Sequence, residues 1–147
     1  MIIAVVGAGS CSKDQYKEAY EIGRLIAESG AHLVTGGLHG IMEAASHGAH
    51  DAGGTVIGIL PTSDKGDANK YVTIPIVTGA GHMRNMIIAN TADAVIAVYG
   101  EFGTLSEVAI ALKMGKKVIT YNSWDIKGIT KADAPEEAVK MALMEEN

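Results

Sequence analysis

Residues 2–10 read Ile2-Ile3-Ala4-Val5-Val6-Gly7-Ala8-Gly9-Ser10, an apolar run that ends directly in a glycine turn. A run this short, without polar alternation, is a strand buried on both faces, as in a parallel sheet. The same figure recurs downstream. His32–Val34 leads into Thr35-Gly36-Gly37, Thr55–Ile59 into Pro61, and Ala94–Val98 into Tyr99-Gly100, while Lys117–Thr120 makes the last core strand. Helical periodicity fills the intervals. Tyr16, Ala19, Tyr20, Gly23, Ile26 and Ala27 recur at three- and four-residue spacing within 13–29, and Gly30 stops that helix. Further helices are expected over 40–52, 82–92 and 104–114, with a terminal one opening at Pro135 and running to 145. Residues 71–77 contain Pro75 and read as an edge strand. The polar stretch 62–70 is a loop long enough to be functional. Strands alternating with helices predict a Rossmann-like doubly wound parallel sheet, α/β in class, with three α/β/α layers in a single domain over 1–147.

Composition agrees with that architecture and narrows the partners. The 147 residues are 48% hydrophobic and 20% charged, which excludes a disordered chain. Aromatic residues are only 5%, so the core must be aliphatic. Seventeen acidic residues against 12 basic give a net charge of −5, which argues against a duplex nucleic-acid partner. It leaves anionic small ligands open, because backbone amides hold phosphate without net positive charge. Cys11 is the single cysteine, so neither an intrachain disulfide nor a cysteine zinc site is available. The N-terminus has no basic region before its apolar run, and no run approaches the roughly 20 residues of a membrane span. The expectation is a complete cytoplasmic protein with no membrane association.

In a doubly wound sheet, ligands sit at the carboxyl ends of the strands. Three such ends carry glycine before a helix: Gly7-Ala8-Gly9-Ser10, Thr35-Gly36-Gly37 and Gly100-Glu101-Phe102-Gly103-Thr104. Each glycine can serve tight βα packing alone. Three together favour a phosphate-bearing ligand, with Gly7, Gly9, Ser10, Gly36, Gly37, Gly100, Gly103 and Thr104 as binding residues. The second strand ends without the acidic residue that an NAD site uses for its ribose, and neither GxxxxGK[ST] nor GxSxG occurs. No lysine is placed for a pyridoxal Schiff base, and no cofactor is expected. Arg84 starts a helix beside this edge. Thr104-x-x-Glu107 has the form of a capping box, which would give Glu107 a purely structural role. The alternative is catalytic: a carboxylate beside a phosphate loop acts on another part of the ligand, as general base or stabiliser of developing positive charge.

Taken in order, Gly36-Gly37-x-x-Gly40-Ile41-Met42, Gly53-Gly54-x-x-Ile57-Gly58-Ile59-x-Pro61, Met83-Arg84 and Gly100-x-x-Gly103-Thr104-x-x-Glu107 resemble the LOG family. Its members are cytokinin riboside 5′-monophosphate phosphoribohydrolases. They share a Rossmann-like superfamily with molybdenum-cofactor carrier proteins and the DNA-processing DprA group. The resemblance covers roughly residues 1–120. It implies that Arg84 and Glu107 are catalytic, that the loop around Gly103 and Thr104 holds a 5′-phosphate, and that the reaction is N-glycosidic hydrolysis of a nucleoside 5′-monophosphate. The alternative is a non-catalytic carrier of a nucleotide or of a pterin (molybdenum) cofactor. Four departures bear on the choice. The family's Pro-Gly-Gly becomes Tyr99-Gly100-Glu101, its Arg-Lys becomes Arg84-Asn85, its triple glycine becomes Thr35-Gly36-Gly37, and Glu43 stands for a glycine. These bring the chain closer to the uncharacterised and carrier-like branches than to the hydrolase branch.

Other chemically capable residues read as ordinary. His47 and His50 share a helix with Asp51 but lack a third ligand, so no metal site is expected. His39 and His82 flank glycine loops and stand within reach of a ligand. Cys11 is a small, half-buried filler at a helix start that would otherwise lower its pKa, and Met83 and Met86 are packing residues. The acidic end, Met144 to Asn147, is expected to fray. Helices 82–92 and 104–114 are apolar around most of their circumference, more than one covered stripe requires. A homodimer, or a multiple of one, pairing these helices is therefore expected.

Overall fold

The computed structural model describes residues 1–145. Glu146 and Asn147, the end of the tail expected to fray, lie outside the described residues. Seven strands are present: β1 (Ile2–Gly7), β2 (His32–Thr35), β3 (Val56–Leu60), β4 (Ile74–Val77), β5 (Ala94–Val98), β6 (Lys117–Tyr121) and β7 (Thr130–Ala132). The helices are α1 (Lys13–Glu28), α2 (Ile41–Asp51), α3 (Arg84–Thr91), α4 (Phe102–Lys113) and α5 (Pro135–Leu143). One sheet runs in the order β4-β3-β2-β1-β5-β6-β7, with every pairing parallel. The Rossmann-like α/β/α arrangement is as the sequence predicts.

The buried strands feed two apolar layers. Alternate residues of β1 show the division: Ile3 and Val5 join α1, α2 and α5 on one face, while Ala4 and Val6 join α3 and α4 on the other. Strand–helix alternation is incomplete, however. The β3–β4 crossover holds only a 3₁₀ turn at Lys65–Asp67, and β7 follows β6 with no helix between. Both exceptions add a short strand at a sheet edge. The polar loop is pinned rather than free: Asn69 donates its backbone N–H to Gly37 O at 2.8 Å and its side-chain amide to Leu38 O at 2.8 Å.

Helices α1 and α2 interlock. A Cβ added at Gly23 would lie 1.9 Å from Ala45 O, and one at Gly48 would lie 1.9 Å from Tyr20 O. The glycines let the two backbones touch, which fixes the crossing and the place where α2 starts. At the opposite end of the sheet, Lys116 Nζ donates to Ala92 O and Lys117 Nζ to Met141 O, so adjacent lysines cap the carboxyl ends of α3 and α5.

The two faces are unequally covered. Ile74 and Ile76 on β4 pair with Ile57 and Ile59, which puts them on the α3/α4 face, yet they are 47% and 43% exposed. Met83 beside α3 is 76% exposed, and Met86 and Ile87 are also exposed. Two helices leave part of this side apolar and open.

The interlock gives a direct test. Alanine has the better helix propensity by about 1 kcal/mol, but its methyl group has no room at position 48. Gly48→Ala should therefore lose about 2 kcal/mol of stability. Urea unfolding should show a lower midpoint at unchanged m value; a midpoint at or above wild type would disprove the close crossing.

Candidate functional site

β1 and β5 are neighbours, but α1 leaves β1 toward one face and α4 leaves β5 toward the other. The loops therefore diverge, and a crevice opens between them. The cleft there has a volume of about 490 Å³. Gly7, Ala8, Gly9 and Ser10 line one side, Glu101, Gly103, Thr104 and Glu107 another, and Met42, His82, Arg84 and Asn85 complete it.

The first loop is shaped by close approach. A side chain at Gly7 would meet Ile41 Cγ2 at 2.5 Å, and the Ile41 N–H donates to Ala8 O at 3.0 Å, binding the start of α2 to the loop. Gly9 faces open space. The loop after β5 turns sharply through Tyr99 (φ 52°) and Gly100 (φ 104°). A left-handed tyrosine costs on the order of 1 kcal/mol. A Cβ at Gly100 would lie 2.2 Å from Thr104 Oγ1, so only glycine fits there.

This turn starts α4 earlier than the sequence predicts. Glu101 occupies the N-cap without a side-chain cap bond, and Leu105 N–H makes the first helical bond, to Glu101 O at 3.0 Å. Thr104 is therefore inside the first turn, not at the cap, and the capping-box role for Glu107 is corrected. A genuine capping box occurs elsewhere, between Ser12 and Gln15 at the start of α1. The amides of Phe102, Gly103 and Thr104 precede the first helical bond and have no partner within the helix. Those of Gly103 and Thr104 belong to residues that line the cleft.

Arg84, from the first turn of α3, meets Glu107, from the second turn of α4. Both residues are 8% exposed. Arg84 Nη1 lies 3.6 Å from Glu107 Oε1, and the same nitrogen donates to Asn85 Oδ1. Arg84 Nη2 reaches Gly36 O at 3.5 Å, while the buried Nε has no protein partner. Burial lowers the Arg84 pKa, with Glu107 opposing. Burial also pushes the Glu107 carboxyl up to about 7, against the attraction of Arg84. A carboxyl in that range can exchange a proton at neutral pH.

Of the residues expected to bind or catalyse, Gly7, Gly9, Ser10, Gly103, Thr104, Arg84 and Glu107 share this cleft. Gly36, Gly37 and Gly100 are not among its lining residues. A Cβ at Gly36 would lie 2.7 Å from both Arg84 Nη2 and Met42 Sδ, so that glycine makes room for the arginine. His82 lines the cleft; His39 lies outside its lining and pairs loosely with Glu43 at 3.9 Å. Asn85, Met42, Ala8 and Glu101 are lining residues that the motifs do not mark as binding. The sequence marks Asn85 and Glu101 only as departures from the family pattern and Met42 only as part of a resembling motif, while Ala8 sits between two marked glycines. Burial, followed by Glu43, raises the Cys11 thiol, opposite to the effect of an activating helix start. His47 accepts a hydrogen bond from, or donates one to, Tyr16 Oη at 2.8 Å and stacks on Tyr71 at 4.1 Å.

A model of the SLOG cluster4 family matches residues 1–147. The chain belongs to that family. The known structures and relatives to which this SLOG cluster4 chain is similar include two kinds of protein. The molybdenum cofactor binding protein of Rippkaea orientalis is 40% identical, with a TM-score of 0.90 over 95% of this chain and 93% of that one. The molybdenum cofactor carrier protein of Chlamydomonas reinhardtii is 36% identical, with a TM-score of 0.87 over 95% and 93% of the two chains. The rice cytokinin riboside 5′-monophosphate phosphoribohydrolase LOG is 36% identical over 112 residues, 73% of this chain and 46% of that protein. The chain thus spans about half the length of the curated hydrolases it matches. No helix among the described residues is long and apolar enough to cross a membrane.

The buried carboxyl makes stability depend on pH. With its folded pKa above the ordinary 4.5, Glu107 contributes stability that is full below pH 4.5 and is lost as pH rises through about 7. Glu107→Gln removes the charging step. The variant should match wild type near pH 4 and exceed it at pH 8, by up to about 3 kcal/mol. Denaturant curves at the two pH values that show no such divergence would refute the burial argument.

Proposed function

We propose that the cleft binds a phosphorylated small molecule with a heterocyclic part, of the nucleotide or pterin-cofactor class. The observation that carries this reading is that Arg84, whose buried Nε has no protein partner, lines the same cleft as residues whose amides open α4. Together they offer a fixed charge and uncommitted donors to one anion. We favour a holding role, that of a carrier. The likeness to molybdenum cofactor proteins spans nearly the whole of both chains, and Glu101, a second acidic residue, lines the cleft where the hydrolase motif has glycine.

The second reading, hydrolysis of a nucleoside 5′-monophosphate to free base and ribose 5-phosphate, is favoured by Glu107. Its carboxylate, buried against Arg84, would stabilise the cationic sugar or position the attacking water, with Arg84 orienting the ligand and Thr104 and Gly103 holding the phosphate. We place the protein in the cytoplasm as one domain. We also propose that it is a homodimer, joined through the incompletely covered α3/α4 face.

Incubation with a panel of purine and pyrimidine monophosphates, followed by chromatography, separates the readings. Retention of a phosphorylated ligand without base release supports the carrier. Base release that disappears in Glu107→Ala, with a rate rising as pH passes through about 7, would replace it by the hydrolase. Light scattering should give about twice 15.3 kDa, or a multiple of that dimer; a monomer mass would show that the apolar face is covered in some other way.

A further inference from the structure

The loop that carries the cleft amides is anchored from outside the cleft. Tyr99 closes β5 in the left-handed region (φ 52°), and Asn122 follows β6 in the same region (φ 48°); they are the non-glycine residues with positive φ among the described residues. The two unusual positions brace each other. Tyr99 N–H donates to Tyr121 O at 3.2 Å, Ser123 Oγ donates to Tyr99 O at 2.6 Å, and Asn122 Nδ2 donates to the Tyr99 hydroxyl at 3.1 Å. That hydroxyl in turn donates to Glu18 Oε2 on α1 at 2.6 Å.

The last bond matters because of what α1 carries. The loop Gly7–Ser10 runs directly into α1, and the loop containing Tyr99 runs directly into α4. A bond from Tyr99 to Glu18 therefore ties the second wall of the cleft to the helix that continues the first. Gly100 and Glu101 are the only residues between Tyr99 and the first turn of α4, so the backbone direction set at Tyr99 passes to the amides of Gly103 and Thr104. An unfavourable backbone conformation persists only where its surroundings over-determine it, and such positions cluster at functional sites.

We propose that Tyr99 is a positioning residue of the anion site. Anchored to Glu18, it holds the amides at the start of α4 in register with those of Gly9 and Ser10 across the cleft. This rests on the reading of the cleft as a phosphate site.

The chain supplies its own reporter. Trp124, the single tryptophan, donates its indole N–H to Glu101 O at 3.0 Å and so senses the same loop. Tyr99→Phe keeps the ring and removes the hydroxyl. Glu18→Ala removes the partner and leaves the loop sequence intact, while Glu18→Gln keeps an acceptor. Ile26→Val, in the core, serves as the stability control. Binding of ribose 5-phosphate is measured by calorimetry, and acrylamide quenching of Trp124 is measured without ligand. Tyr99→Phe and Glu18→Ala should each weaken binding at least tenfold and raise quenching. Glu18→Gln should stay within about twofold of wild type, and Ile26→Val should change neither signal. Wild-type binding that survives Tyr99→Phe and Glu18→Ala, with quenching unchanged, overturns this proposal alone. A loss of binding in Ile26→Val equal to that in Tyr99→Phe also overturns it, because the effect would then follow stability. Absence of ribose 5-phosphate binding in wild type overturns the reading of the start of α4 as a phosphate site, and this proposal with it.

Discussion

The site exists because two adjacent parallel strands send their helices to opposite faces. β1 hands the chain to α1 on one side and β5 hands it to α4 on the other, so no loop crosses the gap between them. Everything chemical in the cleft is arranged around that divergence. Gly37, in the loop after β2, is instead packed under Leu60. The central strands β1 and β5 are apolar on both faces and stay buried under helices on each side, so that only their ends are open to a ligand.

Within the gap, Arg84 and Glu107 are a poor investment in stability. Removing two charges from water is expensive, and a buried pair seldom does better than apolar side chains of the same size. Here the geometry is weaker still, with 3.6 Å between the charged atoms and one guanidinium nitrogen unmatched. The pair sits where α3 and α4 pack together, in a layer otherwise filled by Ile88, Ala89, Val108 and Ala111. A polar intrusion into such a layer, left incompletely satisfied, adds little stability, which is the ground for the recognition role proposed for the pair.

The sequence makes the fold legible through local rules and fails where geometry is tertiary. Residues 2–7 and 94–98 read as buried strands because an apolar run between turns has few other structures open to it. The α1 start is equally local, since Ser12 and Gln15 cap each other. The start of α4 is not. A tyrosine carries no signal that it will adopt a left-handed conformation; that state is imposed by β6 and α1, and it moves the helix forward to Phe102. β7 escapes notice because Thr130-Lys131-Ala132 has no apolar run and pairs only through β6. The motifs show which residue types gather at the strand ends. That Gly36 gives space to Arg84, rather than presenting its amide, depends on an arginine 48 residues downstream.

The uniform strand direction also has an electrical consequence. Each helix begins at the carboxyl end of the sheet, so all five helix dipoles point their positive ends toward the cleft side. Acidic residues in the first turn offset this for α1 (Asp14), α2 (Glu43) and α5 (Glu136 and Glu137), whereas α3 and α4 carry none there. The acid next to the start of α4 is Glu101 on its N-cap, which makes no cap bond. Lys116 and Lys117, meanwhile, compensate helix carboxyl ends at the far side. A molecule of net charge −5 thus keeps its uncompensated positive field on the two helices that supply Arg84 and the free amides. That field favours the anionic ligand proposed for the cleft.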